Sequence, residues 1–353
     1  MVDREAHDTA SHRDVAVAVL GAFVGTRRPA FFPGAGAAAA DRGRSGAVTV
    51  WAAIGVVWLV FIGQVMIRWV TGDDGSFGPA VVLGPDEMAT WRLIAMRTIE
   101  ASSVVIMMAM AWICLVRPWR ETGTIGLDGK LYIAATLAAP IDPLINYFHW
   151  TFAWNANAIN WGSWGHLFPL SNAPHYAEGL VWFIPQYVYL GLGFAMIECA
   201  VILTLRRYYP SISNVRAFGV AAILTFLLDI TVEYLFILTE IYGYPRTLGA
   251  LTLFAGSPYQ FPIYESLFVT AYATGFTLVR MSAYDDPEGL SFLERGIHRI
   301  RPSARFVTSL LACIGFCAVW AALSYFLPWS WLSVNVDSDV THLLPSYLLP
   351  TRS

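Results

Sequence analysis

The segment AFGVAAILTFLLDITVEYLFILTEI, residues 217–241, combines a membrane-length run of apolar side chains with Asp229, Glu233 and Glu240. A helix that crosses the hydrocarbon core of a bilayer needs about 20 mainly apolar residues, so this segment predicts a membrane span. An ionised carboxylate within a span costs several kcal/mol unless it is paired, hydrated or protonated. Acidic side chains in such a place are therefore candidates for function.

Composition places the whole chain among membrane proteins. Of its 353 residues, 56% are hydrophobic and only 13% are charged, about half the charged share of a soluble domain. We predict an all-α fold, a polytopic transmembrane helical bundle of about seven spans. Residues 1–46 form a predicted flexible cytoplasmic N-terminal segment, residues 47–328 the transmembrane domain and residues 329–353 a short C-terminal tail. The predicted spans are residues 47–70, 89–116, 131–150, 178–205, 217–241, 260–281 and 306–327.

Basic residues predict how the bundle is oriented. The N-terminal segment and the connections 117–130, 206–216 and 280–305 contain seventeen arginines and lysines, whereas the alternate connections contain two. By the positive-inside rule the N-terminus then lies in the cytoplasm and the C-terminus outside. We expect an integral protein of the plasma membrane. The net charge of −3 is small and scattered, so it indicates no nucleic-acid partner, and the sequence leaves the oligomeric state open.

The third predicted span is interrupted in its middle. Residues 139–143 read APIDP, and a proline that follows an Asp cap can begin a new helix. We interpret the span as two half-helices that meet inside the membrane, an arrangement that often forms a binding site; a simple proline kink is the alternative. The next connection, 151–177, contains no Asp, Glu, Lys or Arg. Its many aromatic residues favour a lid or wall over a site, with an interfacial aromatic belt as the alternative.

Acidic side chains from several spans lie at similar predicted depths. With a rise of ~1.5 Å per residue, the candidates lie roughly 8 to 18 Å below the outer ends of their spans. On a helix, Asp142, Asn146 and His149 would share one face, and so would Asp229 and Glu233. Two carboxyl groups one turn apart in a low dielectric do not both ionise readily, so one can serve as a general acid. The predicted catalytic residues are Asp142, Asp229, Glu233, Glu265 and His149.

Other polar and aromatic side chains of this layer and of connection 151–177 are candidates for substrate binding. The amides would orient hydroxyl groups, and the tryptophans would stabilise a transient cation through cation–π contacts. Some of these candidates also suit a purely structural role: Arg97 and Glu100, three residues apart, suit an ion pair. The predicted binding residues are Asn146, Trp150, Trp154, Asn155, Asn157, Asn160, Trp161, Gln186, Glu100 and Arg97.

Several classes of membrane protein find no support in the sequence. A retinal protein needs a lysine in its last span, whereas the single lysine, Lys130, lies in a connection. Histidines are too few for the clustered boxes of a membrane di-iron enzyme, and neither a Walker A nor a GxGxxG pattern occurs. No Asp-rich metal-diphosphate motif is present either. We therefore expect chemistry that uses no cofactor and no metal.

Residues 140–169, PIDPLINYFHWTFAWNANAINWGSWGHLFP, resemble the AveC family of spirocyclases. The resemblance implies a membrane enzyme of macrolide antibiotic biosynthesis that closes a dihydroxy-ketone polyketide to a spiroketal, and some members also dehydrate the resulting ring. It assigns no catalytic residue, so the candidates above rest on the sequence alone. Supporting segments are 185–200 (PQYVYLGLGFAMIECA), 231–245 (TVEYLFILTEIYGYP) and 251–266 (LTLFAGSPYQFPIYES).

The acidic candidates suit this chemistry. Spiroketal formation needs a proton donor, a proton acceptor, tolerance of an oxocarbenium ion and exclusion of water. We expect Glu233 or Asp229 to be the acid and Asp142 to face the cation. The alternative is a proton-coupled carrier or receptor for a hydrophobic small molecule, which would use the same carboxylates. The expected partners are a hydrophobic polyketide and the lipid bilayer.

Overall fold

The computed structural model describes residues 46–82 and 84–350, so nearly all of the N-terminal segment expected to be flexible lies outside the described residues. Within those ranges the protein is mainly helical, which confirms the predicted all-α class. The long helical segments are α1 (Ala47–Thr71), α2 (Thr90–Thr122), α3 (Leu127–Ala138), α4 (Leu180–Tyr208), α5 (Asn214–Leu238), α6 (Ile263–Asp285) and α7 (Pro302–Ser333). The short strands are β1 (Ala153–Trp154), β2 (Tyr242–Gly243), β3 (Arg246–Thr247), β4 (Thr252–Leu253), β5 (Phe261–Pro262) and β6 (Ser338–Asp339).

Among the described residues, five helices are long and apolar enough to cross a membrane, namely α1, α2, α4, α5 and α7. In the most apolar 18-residue stretch of α1 only 22% of the residues are buried inside the protein. This helix therefore presents an apolar face outward, as contact with lipid requires. Helix α6 is as long as a span but more polar. It lies against α4 and α5, which cover much of its surface.

The connections between helices gather at two opposite ends of the bundle. Four of them meet at what we call the loop end, where β1 pairs with β2, β3 pairs with β6, and Gly78 N–H donates to Trp161 O. The others meet at the opposite, basic end, where Arg280 binds Asp128. Connections that alternate along the chain therefore share an end, in agreement with the alternation of basic residues. The loop-end connections are residues 72–89, 151–179, 239–262 and 334–350.

The predicted interruption of the third segment is present, but its second half differs from the expectation. Helix α3 ends at Ala138, and a 3-10 helix runs from Ala139 to Asn146 instead of an α-helix that reaches residue 150. Pro140 and Pro143 lack the N–H that an α-helix uses, and their rings crowd the preceding turn. The two parts rise roughly 18 and 16 Å, together enough for a hydrocarbon core of about 30 Å.

Helices α1 and α7 approach each other closely at two glycines. A Cβ atom on Gly55 would lie 2.1 Å from Leu311 O, and one on Gly315 would lie 2.1 Å from Trp51 O. Small residues at a crossing allow two membrane helices to bring their backbones together. This close crossing fixes the position of α7, whose C-terminal half carries part of the cavity wall.

Candidate functional site

A cavity lies inside the bundle, between the 3-10 helix, α4, α5, α6 and α7. Its volume is about 30 Å³, room for roughly two water molecules. Because its walls come from elements far apart in the sequence, its shape depends on the whole bundle. The cavity is lined by Asp142, Ile145, Phe152, Trp154, Gln186, Tyr187, Leu190, Glu233, Tyr244, Glu265, Val269, Tyr272, Ala321 and Tyr325.

Three of the predicted catalytic residues meet in this cavity. Asp142 comes from the 3-10 helix, Glu233 from α5 and Glu265 from the first turn of α6. Their exposed fractions are 8%, 2% and 2%, so all three carboxyl groups lie within the protein. The sequence predicts similar depths for these three residues on separate spans, and the structure places them in one cavity.

Each of these carboxyl groups accepts a hydrogen bond from a tyrosine hydroxyl. A neutral donor stabilises an ionised carboxylate without neutralising its charge. These tyrosines cannot be recognised in the sequence, because tyrosine is common in this chain and two of the three are more than forty residues from their partners. The pairs are Tyr187 with Asp142 Oδ1 at 2.8 Å, Tyr325 with Glu265 Oε1 at 3.2 Å, and Tyr242 with Glu233 Oε2.

Asp229 does not line the cavity but lies directly behind it. It precedes Glu233 by one helical turn on α5, is 1% exposed, and lies within hydrogen-bonding reach of Glu265 and Ser266. Its Oδ2 atom accepts no hydrogen bond. Asp229, Glu233 and Glu265 therefore form one acidic group, in which a proton can pass from one member to another.

A second acidic pair includes Glu178, which is not among the predicted catalytic or binding residues. Glu178 is 0% exposed and faces Asp142, Tyr176 and Trp154. It lies just before α4, at the predicted edge of a span, and its partner Asp142 is far away in sequence. No local pattern could have revealed the pairing.

Connection 151–177 forms a wall of the cavity, which is one of the two roles that its composition favoured. Phe152 and Trp154 both line the cavity, and their rings meet edge to face with centroids 5.1 Å apart. Trp154 also contacts Tyr242, at 5.6 Å between centroids. At the start of the wall, Trp329 Nε1 of α7 donates to Thr151 Oγ1 at 2.9 Å. The wall is thereby joined both to β2, in the connection after α5, and to α7.

Of the predicted binding residues, Trp154 and Gln186 line the cavity. Gln186 belongs to α4 and lies just before a π-helical turn at Tyr189–Gly193. A second such turn, Ala322–Phe326 in α7, carries Tyr325. A π-helical turn inserts an extra residue into a helix and often marks a functional site. Here the two turns direct Leu190 and Tyr325 to the cavity.

The four asparagines predicted to orient substrate lie outside the cavity lining, and the side chains of three of them bind the backbone of the protein. Asn160 accepts from Ala80 N and Gly162 N, and it donates to two carbonyl groups of its own loop. Asn155 Nδ2 donates to Glu240 O at 2.7 Å. Asn146 and Asn157 are likewise absent from the cavity lining, and Asn146 binds the backbone of residues 151 and 152. A compact loop leaves many backbone groups without strand or helix partners, and these amides satisfy them.

Five further candidates also lie away from the cavity lining. His149 is exposed, because the 3-10 helix ends at Asn146 and the predicted helical face does not continue to it. Trp161 is 48% exposed and stacks on Phe77, and Trp150 is buried in a separate apolar cluster. Arg97 and Glu100 form an ion pair that binds the aromatic connection through Asn157 O and Ile159 N. These two residues hold the wall in place from outside.

Glu198, an acidic residue of the predicted span 178–205, is also outside the cavity lining. It is buried in α4 and accepts a hydrogen bond from Thr274 Oγ1 at 3.3 Å, with Thr225 and Thr277 nearby. Within the described residues, no group of three or more His, Cys, Asp or Glu side chains is arranged to hold a metal ion. What the cavity offers is acid–base chemistry in an aromatic surrounding.

Comparison with known proteins identifies the family. The model of the spirocyclase AveC-like family matches residues 124–342, a wider range than the central spans that carry the resemblance in the sequence. No curated protein and no solved structure matches the chain. Because the match covers more than half of the chain and includes every residue that lines the cavity, the chain belongs to the spirocyclase AveC-like family.

Proposed function

We propose that the protein is a membrane-embedded, cofactor-free cyclase that converts a dihydroxy-ketone polyketide, a macrolide precursor, to a spiroketal with loss of water. The observation that carries the proposal is the meeting of Asp142, Glu233 and Glu265 in one buried, aromatic cavity. Family membership supports a cyclase, and the apolar helices support a site that a hydrophobic substrate reaches from the bilayer. From the distribution of basic residues we place the N-terminus in the cytoplasm and the protein in the plasma membrane.

The reaction begins when one substrate hydroxyl adds to the ketone carbon, while its proton passes to the ketone oxygen and gives a hemiketal. Glu233 then donates a proton to the hemiketal hydroxyl. Tyr242 donates a hydrogen bond to Glu233, but Asp229 and Glu265 lie beside it, and three carboxyl groups so close together and away from water hold at least one proton among them. The carbon–oxygen bond breaks, water leaves and an oxocarbenium ion remains. The second hydroxyl attacks this cation, and Asp142 accepts its proton. One proton is given and one recovered, so the overall change is the loss of one water molecule.

The surroundings of the cavity fit each step. Asp229 and Glu265 can return a proton to Glu233, since the three form one acidic group. Trp154 and Tyr244 face the cavity, and an aromatic ring face stabilises a desolvated cation by about 2 kcal/mol. Bulk water would capture the oxocarbenium ion. A buried cavity of about 30 Å³ has room for only a few water molecules and so keeps bulk water out. The same small volume means that the walls must move apart to admit the reacting segment of a macrolide.

The test is to incubate detergent-purified protein with a dihydroxy-ketone macrolide and to follow the mass of the product. We expect the loss of one water molecule and a single spiroketal stereoisomer, whereas the protein-free solution cyclises slowly and without selection. A second loss of water would show that the ring is also dehydrated. Redistribution of an unchanged compound across vesicles would support the carrier alternative and contradict the proposal.

A further inference from the structure

Buried polar atoms without well-directed hydrogen bonds gather around Glu178. These atoms are both carboxyl oxygens of Glu178, Oδ2 of Asp142, the hydroxyl oxygen of Tyr176 and Nε1 of Trp154. Such groups are rare in native proteins, and each requires an explanation. Because Glu178 faces the other three residues, one explanation should cover all of them.

Two carboxyl groups in contact and away from water do not both ionise, so this pair holds one proton. Asp142 Oδ1 already accepts a hydrogen bond from Tyr187 at 2.8 Å, and such a bond favours the ionised form. Glu178 accepts no well-directed bond and is 0% exposed. The ionised member is therefore Asp142, and the proton lies on Glu178.

We propose that Glu178 is a positioning residue that carries a proton and donates it in a hydrogen bond to Asp142 Oδ2, which keeps Asp142 ionised beside the cavity. This inference rests on the proposed function, in which Asp142 faces the oxocarbenium ion. Glu178 is not part of the cavity lining, so it acts on the substrate only through Asp142.

A neutral donor suits this task better than a cation would. An arginine or lysine beside Asp142 would also keep it ionised, but its positive charge would oppose the oxocarbenium ion at short range. In the described part of the chain, Asp142 lies within hydrogen-bonding reach of three groups, Glu178, Tyr187 and Trp154, and near the neutral hydroxyls of Tyr176 and Tyr325. All three can donate a hydrogen bond while remaining neutral, so the charge of Asp142 stays available to the substrate.

The backbone holds Glu178 in this position. Its N–H donates to Gly162 O at 3.2 Å, and Asn160 forms an isolated antiparallel bridge with Gly179. Both contacts are with connection 151–177, which carries Trp154. The wall of the cavity and the proton donor to Asp142 therefore belong to one structural unit.

The proton on Glu178 can be tested without any substrate. Infrared spectra of the protein in membranes should contain carbonyl-stretch bands from protonated carboxylic acids, one from Glu178 and others from the group formed by Asp229, Glu233 and Glu265. Glu178→Gln should abolish one of these bands, the Glu178 band. The matched control is Glu198→Gln, a buried glutamate of α4 outside the cavity, which should leave the band in place. A spectrum in which Glu178→Gln removes no such band would overturn the proposal, whether or not the protein proves to be a spirocyclase.

The effect on Asp142 is tested with the cyclisation assay. Glu178→Gln keeps a neutral donor and should retain most activity at neutral pH. At alkaline pH it should lose only the part of the fall in rate that comes from loss of the Glu178 proton, and the part that comes from loss of the Glu233 proton should remain. Glu178→Met, of similar length but without a donor, should lose activity. If Glu178→Gln keeps the alkaline fall unchanged, Glu178 does not act through its proton. If Glu178→Met does not fold, the infrared and glutamine results still decide the question.

Discussion

Glu233 is the residue to which the proposed reaction assigns proton donation. It lines the cavity and is 2% exposed. Glu233→Gln preserves size and hydrogen bonding but cannot donate an acidic proton. We expect cyclisation to slow by about 10²- to 10⁴-fold, the usual contribution of a general acid, measured as product mass per unit of folded protein.

The control for this substitution is Glu198→Gln. Glu198 is equally buried in the same bundle but absent from the cavity lining, so its replacement should leave the rate within a few-fold of wild type. If both variants lose the same share of the cyclisation rate, the loss comes from disturbing a buried glutamate in the fold. It would then give no support to proton donation by Glu233. Unchanged activity in Glu233→Gln would rule out its role as the acid.

The tryptophans of connection 151–177 give a second comparison at the residue scale. Trp154 faces the cavity, whereas Trp161 is 48% exposed and stacks on Phe77. Trp154→Leu should remove cation–π stabilisation of about 2 kcal/mol, roughly 30-fold in rate, while Trp161→Leu should change the rate little. The measurement is the turnover rate at saturating substrate in detergent. Similar rates for the two variants would argue against a cation near Trp154.

The sequence revealed the acidic residues of the site better than their partners. Asp142, Glu233 and Glu265 stand out because carboxyl groups are rare in apolar segments, and their depths follow from the rise of a helix. Glu178, Tyr187 and the roles of the asparagines depend on contacts between distant segments, which no local pattern encodes. An asparagine that satisfies loop backbone and one that binds a hydroxyl look the same in sequence.

At the scale of elements, the spacing of Pro140 and Pro143 explains both a success and an error. The two prolines correctly predicted an interruption of the third segment. They also make the following turn a 3-10 helix that ends at Asn146, and a 3-10 helix has three residues per turn instead of 3.6. The face predicted to contain Asp142, Asn146 and His149 therefore does not exist, and only Asp142 reaches the cavity.

The crossing of α1 and α7 gives a prediction about stability. Gly55→Ala would place a Cβ atom 2.1 Å from Leu311 O, whereas Gly63→Ala on the same helix meets no atom within 4 Å. We expect the first variant to lower stability by about 1 to 3 kcal/mol, as overpacking does, and the second to change it little. Thermal unfolding in detergent measures the difference. If both variants unfold at the same temperature, the close crossing is not needed for stability.

The basic end contains a buried ion pair that should make stability depend on pH. Lys130 Nζ lies 2.5 Å from Glu294 Oε1, and Ser309 Oγ donates to the same oxygen at 2.7 Å. Burial acts to raise the pKa of Glu294, but the Lys130 charge and the hydrogen bonds outweigh it and hold that pKa below its ordinary value of 4.5. The folded state then binds fewer protons than the unfolded state around this value. The resulting stabilisation is complete above about pH 4.5 and is lost as the pH falls through the lowered pKa.

Glu294→Gln should therefore flatten this acid dependence while lowering stability at neutral pH, because Lys130 loses its partner. The measurement is the unfolding temperature between neutral and strongly acidic pH. Lys130→Gln should also flatten the curve, since it removes the charge that lowers the Glu294 pKa. A curve of wild-type slope in both variants would contradict the assignment.

At the scale of the whole molecule, apolar faces point outward and carboxyl groups point inward. Most residues in the apolar stretch of α1 are not buried by other parts of the protein, whereas Glu178, Asp229 and Glu265 are each at most 2% exposed. This arrangement suits the solvent of a lipid bilayer, which favours apolar contacts at the outer surface and supplies no water to hydrate a charge. A substrate rich in carbons with a few oxygens could pass from such a solvent into the cavity without crossing bulk water.

The gathering of connections at two ends predicts the topology in the membrane. We expect the loop end to lie outside and the basic end in the cytoplasm. Suitable positions for single cysteines are Leu251 and Asn335 at the loop end and Glu288 at the basic end, all of them exposed. The four native cysteines are free and buried, so the parent protein should react little with a membrane-impermeant maleimide. In intact cells Leu251→Cys and Asn335→Cys should be labelled, and Glu288→Cys only after the membrane is opened. Labelling of all three from outside would disprove a bundle that crosses the membrane between these ends, whereas the reverse pattern would keep the bundle and invert its orientation.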